Sequence, residues 1–405
     1  MINILEKENC CGCQACEQRC PTNSITFFED NEGFLYPKVD TGTCINCSLC
    51  ENVCPVLNLQ KERLPLVVYA SKNKDENIRL KSSSGGIFSL LAEKILDEEG
   101  VVFGARFNDK WEVVHDFIEA KDHLHLFRGS KYVQSFIGDT FSQTKNFLND
   151  GRKVLFSGTP CQIAGLKLFL KTDYDNLLTV EIVCHGVPSP MIWRNYLSEL
   201  YFSKSQVKKY SIPQKQLPIT NILFRDKKDG WKKYSLTINM ENDGQDSTLY
   251  SSYYKENPYM RGFLHNLYLR PSCYACPSKS FKSGSDISLA DYWGIQNVLP
   301  EFDDDKGVSL VILLSEKGRK YFSETETNSI ETTYNNALKG NSSIVKSVDI
   351  NLKREVFFNT IQKQQKTAAV IRKFSKYTFK VRIKLLAVKI LVRLNLLDPI
   401  KKIIK

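Results

Sequence analysis

The sequence lacks the motifs and apolar runs by which several large protein classes are recognised. No G-x-G-x-x-G pattern follows a strand-like run and no Walker A pattern occurs, which argues against a nicotinamide-binding Rossmann domain and a P-loop. Residues 1–7 contain no apolar signal core, so we expect a reducing, cytoplasmic setting in which cysteines bind metal rather than form disulfides. Lys389 and Arg393 interrupt the best apolar stretch, so no bilayer-spanning helix is predicted.

Acidic residues are scarce at one end of the chain, and this scarcity explains the net charge of +11. Residues 363–405 hold 13 lysines and arginines but one acidic residue, Asp398, which leaves 43 basic and 44 acidic residues in the rest of the 405-residue chain. Because the body is electrically neutral, the composition argues against a nucleic-acid-binding surface.

Cysteine is abundant, and eight of the 13 cysteines form two copies of one pattern. Each copy has the spacing C-x2-C-x2-C-x3-C followed by proline, which is typical of ferredoxins with two 4Fe-4S clusters. The fourth cysteine of each run then binds the other cluster, which predicts two ligand sets. These are the first set, Cys10, Cys13, Cys16 and Cys54, and the second set, Cys44, Cys47, Cys50 and Cys20. Zinc or a disulfide framework is the alternative, although zinc sites usually separate two C-x2-C pairs by a longer spacer. Cys11 lies outside the pattern and its role stays open.

Beyond about the first 60 residues, strand-like and helix-like segments alternate, which predicts a mainly parallel or mixed sheet. The predicted strands include residues 66–70, 101–107, 153–156, 177–183, 287–290 and 308–314. The predicted helices include residues 85–99, 139–149, 162–170 and 190–201.

The four remaining cysteines have informative positions. Cys161 and Cys184 each follow a predicted strand, at the edge where open α/β sheets place ligands. Cys273 and Cys276 form a C-x2-C pair. Four thiolates could converge on a third 4Fe-4S cluster, and a zinc site or ordinary buried cysteines are the alternatives. His185 follows Cys184 and is either structural or a modulator of the cluster or of a substrate proton.

Two segments carry weaker signals for a bound anion. Residues 82–86 read Ser-Ser-Ser-Gly-Gly before an amphipathic helix, which is either a plain N-cap or a pyrophosphate site at exposed backbone N–H groups. Residues 128–135 combine cationic, aromatic and hydroxyl side chains that suit an anionic aromatic cofactor, although the segment alone reads as a loop.

Together these motifs resemble the coenzyme F-420 hydrogenase/dehydrogenase beta-subunit family, some members of which carry an N-terminal two-cluster ferredoxin module. The stretches that carry the resemblance are residues 83–86, 129–135, 158–162, 184–188, 273–276, 286–294 and 305–309. The resemblance implies an FAD-containing iron–sulfur oxidoreductase with a third 4Fe-4S cluster. It implies cluster ligands at Cys161, Cys184, Cys273 and Cys276, FAD at Ser83, Ser84, Gly85, Gly86, Lys131, Tyr132 and Ser135, and weaker FAD candidates at Asp291, Trp293 and Gly294.

The expected function is electron transfer between a ferredoxin-like carrier, 4Fe-4S clusters, FAD and an organic two-electron substrate. The resemblance leaves that substrate open between coenzyme F-420 and another reducible compound, including one used in surface-polysaccharide synthesis. The alternative is a non-catalytic electron-relay subunit of a larger redox complex. No catalytic residue is assigned.

The expected fold has three parts. Residues 1–60 form a bacterial-type dicluster ferredoxin module, residues 65–345 form a mixed α/β flavin- and cluster-binding domain, and residues 352–405 form a basic helical tail. In the tail, apolar residues recur at helical spacing with lysines on other faces, so contact with an anionic membrane surface is one expectation. Docking on an acidic partner and a plain solvated helix are the others. The apolar positions are Val370, Phe374, Tyr377, Val381, Leu385, Val388 and Val392.

Overall fold

The computed structural model describes residues 1–4, 6–204, 219–242, 245–364 and 366–376. The strands are β1 (Ile25–Glu29), β2 (Leu35–Val39), β3 (Val67–Asn73), β4 (Val101–Phe107), β5 (Val113–Ile118), β6 (Val154–Gly158), β7 (Leu177–Ile182), β8 (Ile219–Asp226), β9 (Ser235–Asn242), β10 (Gln245–Tyr253), β11 (Ile287–Asp291), β12 (Ser309–Leu313) and β13 (Thr327–Thr332). The α-helices are α1 (Ala15–Arg19), α2 (Leu49–Asn52), α3 (Glu76–Lys81), α4 (Ile87–Asp97), α5 (Thr140–Asn149), α6 (Pro160–Leu170), α7 (Pro190–Lys204), α8 (Pro258–Leu264), α9 (Glu316–Ser323), α10 (Tyr334–Gly340), α11 (Arg354–Lys363) and α12 (Thr367–Phe374).

The N-terminal module is a hairpin with two short helices. Strands β1 and β2 pair antiparallel, with Ile25 opposite Val39. Helices α1 and α2 contact each other, and each begins after a residue in the left-handed region, Gln14 at φ 60° and Ser48 at φ 57°. The two cysteine runs therefore have the same local backbone around their helices.

An eight-stranded mixed sheet forms the centre of the body, in the order β13-β3-β12-β11-β7-β6-β4-β5. Strands β11, β7, β6 and β4 run parallel, and the outer neighbours pair antiparallel. This mixed sheet confirms the α/β prediction. Because β6 and β7 are parallel neighbours, the segments that follow them leave the sheet at the same edge.

Both faces of the sheet are covered, and alternate residues of its strands face opposite cores. Val102 and Leu155 pack with α4 on one face. Phe103 and Phe156 face the other side, where they join residues of α5 and α6. Cys13 belongs to this second core, so the N-terminal module packs directly on the body.

A second layer lies beside the main sheet. Strands β8, β9 and β10 form a three-stranded antiparallel sheet. Trp193 of α7 and Tyr259 of α8 are fully buried against it. Phe34 of the N-terminal hairpin is fully buried in the same core.

The first part of the predicted tail packs against the body. Val370 and Ile371 of α12 are buried, and the backbone N–H of Ala368 donates to a carboxylate oxygen of Glu199 on α7 at 2.9 Å. Phe374, which the helical pattern places on an apolar face, packs on the same core as Val370. The remaining predicted positions of the tail, from Tyr377 onward, lie outside the described residues. Among the residues that are described, no helix has both the length and the apolar character needed to cross a membrane.

Candidate functional site

The first cysteine set is enclosed. Cys10, Cys13, Cys16 and Cys54 are each at most 8% exposed. Burial raises the pKa of Cys16, and the neighbouring Cys10 and Cys54 raise it further, so these sulfurs share one small space. A buried thiol of this kind becomes a thiolate only when a metal displaces its proton, which suits ligation of iron.

The second cysteine set is more open to solvent than the first. Cys47 is exposed, Cys20 and Cys44 are half-buried, and Cys50 is buried. Backbone N–H groups approach two of its sulfurs, since Ile2 donates to Cys50 Sγ and Ser24 donates to Cys20 Sγ, each at 3.3 Å. Amides directed at sulfur stabilise an anionic cluster.

The four cysteines of the body come together from three parts of the chain. Cys161 is in the first turn of α6, Cys184 follows β7, and Cys273 and Cys276 lie at a short 3-10 helix over Pro271–Ala275. Desolvation is the main cause that raises the pKa of Cys184 to about 12; Lys279 opposes it, and Cys161 and Cys276 contribute to the rise. Desolvation is the largest cause that raises the pKa of Cys273, and the nearby thiols of Cys184, Cys161 and Cys276 also raise it. All four sulfurs therefore lie within electrostatic range of one another.

Local hydrogen bonds fix these cysteines. Thr159 and Gln162 form a capping box at the start of α6, and the Thr159 hydroxyl lies 3.3 Å from Cys161 Sγ. The backbone N–H of Val187 donates to Cys273 Sγ at 3.4 Å.

Among the described residues, no three His, Cys, Asp or Glu side chains lie close enough together to share a single metal ion. A 4Fe-4S cube holds its ligand sulfurs farther apart than one ion does.

Cys11 connects two of the cysteine groups. It is 6% exposed. Hydrogen bonding with Cys13 raises the pKa of Cys11 well above its usual value, and a second thiol contact joins it to Cys161. The extra cysteine of the first run therefore lies between Cys13 of the first set and Cys161 of the body.

A cavity of about 600 Å³ opens beside Cys184. Its volume lies within the range of small-molecule and cofactor sites. The sequence-predicted flavin residues on its wall are Ser83, Ser84, Gly86, Lys131, Tyr132, Ser135, Asp291 and Trp293. Gly85 lies behind the wall, where a Cβ would come within 2.3 Å of Ser71 O. Gly294, at φ 84°, precedes a short 3-10 helix and is likewise not part of the wall.

The serine–glycine segment before α4 is held firmly. The Ser84 hydroxyl donates to Val308 O at 2.7 Å, and Gly86, at φ 85°, is the residue from which α4 begins. Lys227 Nζ donates to Ser84 O and Lys306 O, each at 2.8 Å. The ordered loop and the helix N-terminus together suit a bound anion at this end of the cavity.

Two basic side chains on the cavity wall have no carboxylate partner within the described ranges. Lys131 Nζ donates to the carbonyls of Arg128 at 3.0 Å and Gly129 at 3.3 Å, and desolvation lowers its pKa to about 7. Burial lowers the pKa of His115 to about 4. Its Nε2 lies 3.0 Å from Ser157 O, and its Nδ1 has no hydrogen-bond partner among the described residues. A cofactor with phosphates and ring nitrogens would satisfy both.

Aromatic rings and the carboxylate of Asp291 also line the cavity. Arg225 pairs with Asp291, and its guanidinium lies 4.7 Å from the ring centre of Tyr234 and 5.0 Å from that of Trp293. Tyr132 stacks on Phe263 at 4.8 Å between ring centres. Sequence analysis missed Arg225 and His115. A lone arginine in a polar segment and a lone histidine in a hairpin strand carry no motif.

His185 also lines the cavity, one residue after Cys184. Its Nε2 lies 2.7 Å from Asn266 Oδ1, and burial lowers its pKa. The hydrogen bond to Asn266 fixes the orientation of the ring.

The chain matches two family models. Residues 9–58 match the 4Fe-4S dicluster domain, and residues 151–337 match the C terminus of the beta subunit of coenzyme F420 hydrogenase/dehydrogenase. A comparison with curated proteins gives no match.

One similar solved structure is the F420-reducing [NiFe] hydrogenase complex from Methanosarcina barkeri, studied by xenon derivatization. The sequence identity is 18%, the match covers 66% of this chain and 83% of that chain, and the TM-score is 0.40.

The two matched ranges contain both N-terminal cysteine runs and the four cysteines of the body. Residues 9–58 are therefore a 4Fe-4S dicluster domain, and the chain is an iron–sulfur electron-transfer protein that is related, over residues 151–337, to the beta subunit of coenzyme F420 hydrogenase/dehydrogenase.

Proposed function

We propose that this protein is an iron–sulfur flavoprotein oxidoreductase with three 4Fe-4S clusters and one FAD. It passes electrons between a ferredoxin-like carrier and an organic two-electron substrate, which is coenzyme F-420 or another reducible compound. A substrate of surface-polysaccharide synthesis is included in that proposal.

The position of Cys184 carries the proposal. Cys184 belongs to the group of four cysteines in the body, and it also lines the 600 Å³ cavity. A cluster bound by Cys161, Cys184, Cys273 and Cys276 would therefore share a wall with any cofactor in the cavity. Such adjacency is what electron transfer between two redox groups requires.

The cavity residues would bind and orient FAD. The backbone N–H groups at residues 83–86 suit its pyrophosphate. Lys131 brings positive charge, while Tyr132 and Trp293 offer flat rings for stacking. Bound FAD would connect one-electron clusters with a two-electron substrate. Gly294 and Asp291 would support this wall.

The exposure of the cysteines suggests the order of the sites. Cys47 of the second set is exposed, whereas Cys10 of the first set is 8% exposed. Cys11 then leads from the first set to Cys161. An external carrier would exchange electrons at the second set, and electrons would reach the body through the first.

The experiment that tests the proposal is a cofactor count on anaerobically purified protein. About twelve irons and one FAD per chain are expected. The C161S variant should keep about eight irons. The control C47S should lose the second N-terminal cluster and keep the third. About eight irons without flavin in the unaltered protein would overturn the proposal and favour an electron-relay subunit.

We also propose the domain bounds 1–60, 65–345 and 352–405, and peripheral membrane contact through the basic residues after Ser375. The charge pattern of residues 376–405 supports that contact. Co-sedimentation with anionic vesicles tests it, because a chain truncated after residue 376 should lose binding. Equal binding of both chains would contradict it.

A further inference from the structure

A buried arginine, Arg270, links the first N-terminal cysteine set to the cysteines of the body. Its side chain is fully buried, and its guanidinium donates to Cys10 O at 2.7 Å and to Cys10 Sγ at 3.4 Å. The backbone carbonyl of Arg270 accepts from the N–H of Cys273 at 2.9 Å. One residue therefore contacts a ligand of the first set through its side chain and a cysteine of the body through its backbone.

The N-terminal module is shaped around this guanidinium. The group donates to Leu35 O at 2.8 Å and to Gln134 Oε1 at 3.0 Å, and its centre lies 4.4 Å from the ring centre of Tyr36. Gly12, at φ 70°, leaves space for it, because a Cβ at this position would lie 2.7 Å from Nη1. The cation is therefore held in one place relative to Cys10.

The charge of Arg270 has no carboxylate partner among the described residues. Burial lowers the pKa of its guanidinium, and this effect is outweighed by four neighbouring groups that raise it: Cys10, Tyr36, Cys11 and Cys273. A buried cation is costly unless a negative charge lies beside it. An anionic cluster on the first set would provide that charge. Near the second set, the amino group of Met1 is exposed to solvent and pairs with Glu51 at 3.0 Å.

We propose that Arg270 raises the reduction potential of the cluster on the first set above that of the cluster on the second set. Reduction adds one electron and one negative charge to a cluster, and no bond forms or breaks. A fixed positive charge beside the cluster stabilises the reduced form. Electrons that enter at the exposed second set then move inward. The inward route rests on the proposed function, whereas the difference in potential depends on the dicluster domain alone.

The test is a redox titration followed by electron paramagnetic resonance on the full chain. All variants are made in a C161S background, so that the signals come from the N-terminal clusters alone. The additional C47S substitution identifies the signal of the second cluster. Dithionite supplies the electrons. R270Q should lower the midpoint potential of the first cluster enough to change its reduced-to-oxidised ratio about tenfold, which is about 59 mV for one electron. R270K, which keeps the charge, should change it less.

The matched control is R354Q. Arg354 also ties the N-terminal hairpin to the body, through Glu32 at 2.6 and 2.8 Å, but it contacts no cysteine within the described ranges. R354Q should leave both potentials unchanged. An unchanged first potential in R270Q, an equal shift of both clusters, or an equal shift in R270K would overturn the proposal.

If R270Q fails to bind iron at the first set, R270K decides. An intact cluster with a near-normal potential in R270K supports a role for the charge, and loss of the cluster in R270K shows that the arginine serves packing alone. Failure of the proposed function has a different signature, because C161S would then leave the iron content unchanged.

Discussion

The two cysteine runs have the same spacing and the same local backbone, yet they lie in opposite surroundings. Gly12 and Asn46 occupy matching positions and both have positive φ, and Gln14 and Ser48 match in the same way. Cys11 of the first run is 6% exposed, whereas its counterpart Ile45 is 63% exposed. Spacing thus specifies a cluster-binding loop, and the residues between the cysteines specify whether the loop faces the body or solvent.

The difference extends to hydrogen bonding. Gln14 is buried, and its side-chain oxygen accepts from the backbone N–H groups of Ile137 at 2.7 Å and Gly138 at 3.2 Å. Ser48 makes no comparable bond to the body among the described residues, and its contact is with Glu51 of the same module. The first run is therefore part of the interface with the body, whereas Ile45 and Cys47 of the second run are exposed.

The largest expected effect is a difference in the free energy of unfolding lost when one cysteine is removed from each set. C16A removes a proposed ligand from the enclosed set and should lower the free energy of unfolding by about 4 kcal/mol or more, because metal binding at a buried site is coupled to folding. C47A removes a ligand from the exposed set and should cost about 1 kcal/mol. Anaerobic urea unfolding with iron analysis measures both. Equal losses would break the comparison.

The pH dependence of stability extends the comparison to the core that covers the first set. His115 stacks on Phe156 of that core, and its pKa is lowered to about 4 by burial. Between pH 6.5 and 4 the unfolded chain binds a proton there and the folded chain does not. Stability should therefore fall as pH falls, by roughly 3 kcal/mol over the whole window.

Urea midpoints measured from pH 7 to 5 should show this slope in the unaltered protein. H115Q should flatten it, while H123Q, at an exposed position, should not. A slope that persists in H115Q would assign the acid sensitivity to other groups.

Two glycines offer a matched pair in the hairpin region. Gly33 has φ 84°, and a Cβ there would lie 2.2 Å from Met191 Cβ on α7. G33A should cost about 2 kcal/mol through strain and displaced packing. At Gly42 a Cβ would meet only Asp40 Oδ1 at 3.3 Å, so G42A should change stability by less than about 0.5 kcal/mol. Thermal unfolding of both variants decides, and similar melting temperatures would show that the hairpin does not depend on α7.

The smallest effect concerns the position that precedes each short helix. Q14A leaves the N–H groups of Ile137 and Gly138 without their acceptor and should cost about 1 to 2 kcal/mol. S48A should cost less than about 0.5 kcal/mol. Urea midpoints at constant iron content measure the difference, and a larger loss in S48A would reverse the assignment of the interface.

Local patterns predicted much of the fold. Strand β4 has the bounds expected from the sequence, Val101–Phe107, and α4 at Ile87–Asp97 lies within the predicted helix 85–99. Apolar periodicity and the glycine that follows α4 are short-range signals, so a single sequence reveals them. The mixed order of strands depends on pairings such as β3 with β13, which are distant in the chain.

The candidate site divides in the same way. The serine–glycine segment and residues 129–135 were recognisable as motifs, and the structure brings most of the predicted flavin residues to one cavity. Arg225 and Arg270 carry no signal in the sequence, because their roles arise from contacts with Asp291 and Cys10 that only the folded chain creates. Residues that are distant in the sequence from the site they complete cannot be identified from a single sequence.

The contact between Arg270 and Cys10 also has a consequence for how the protein is made and repaired. The two residues are separated by 260 positions, so at ribosomal speeds on the order of 10 to 50 seconds of synthesis pass between them. We therefore expect a cluster on the first set to be loaded before Arg270 covers Cys10, and to exchange more slowly in the folded protein than a cluster on the second set, whose Cys47 is exposed.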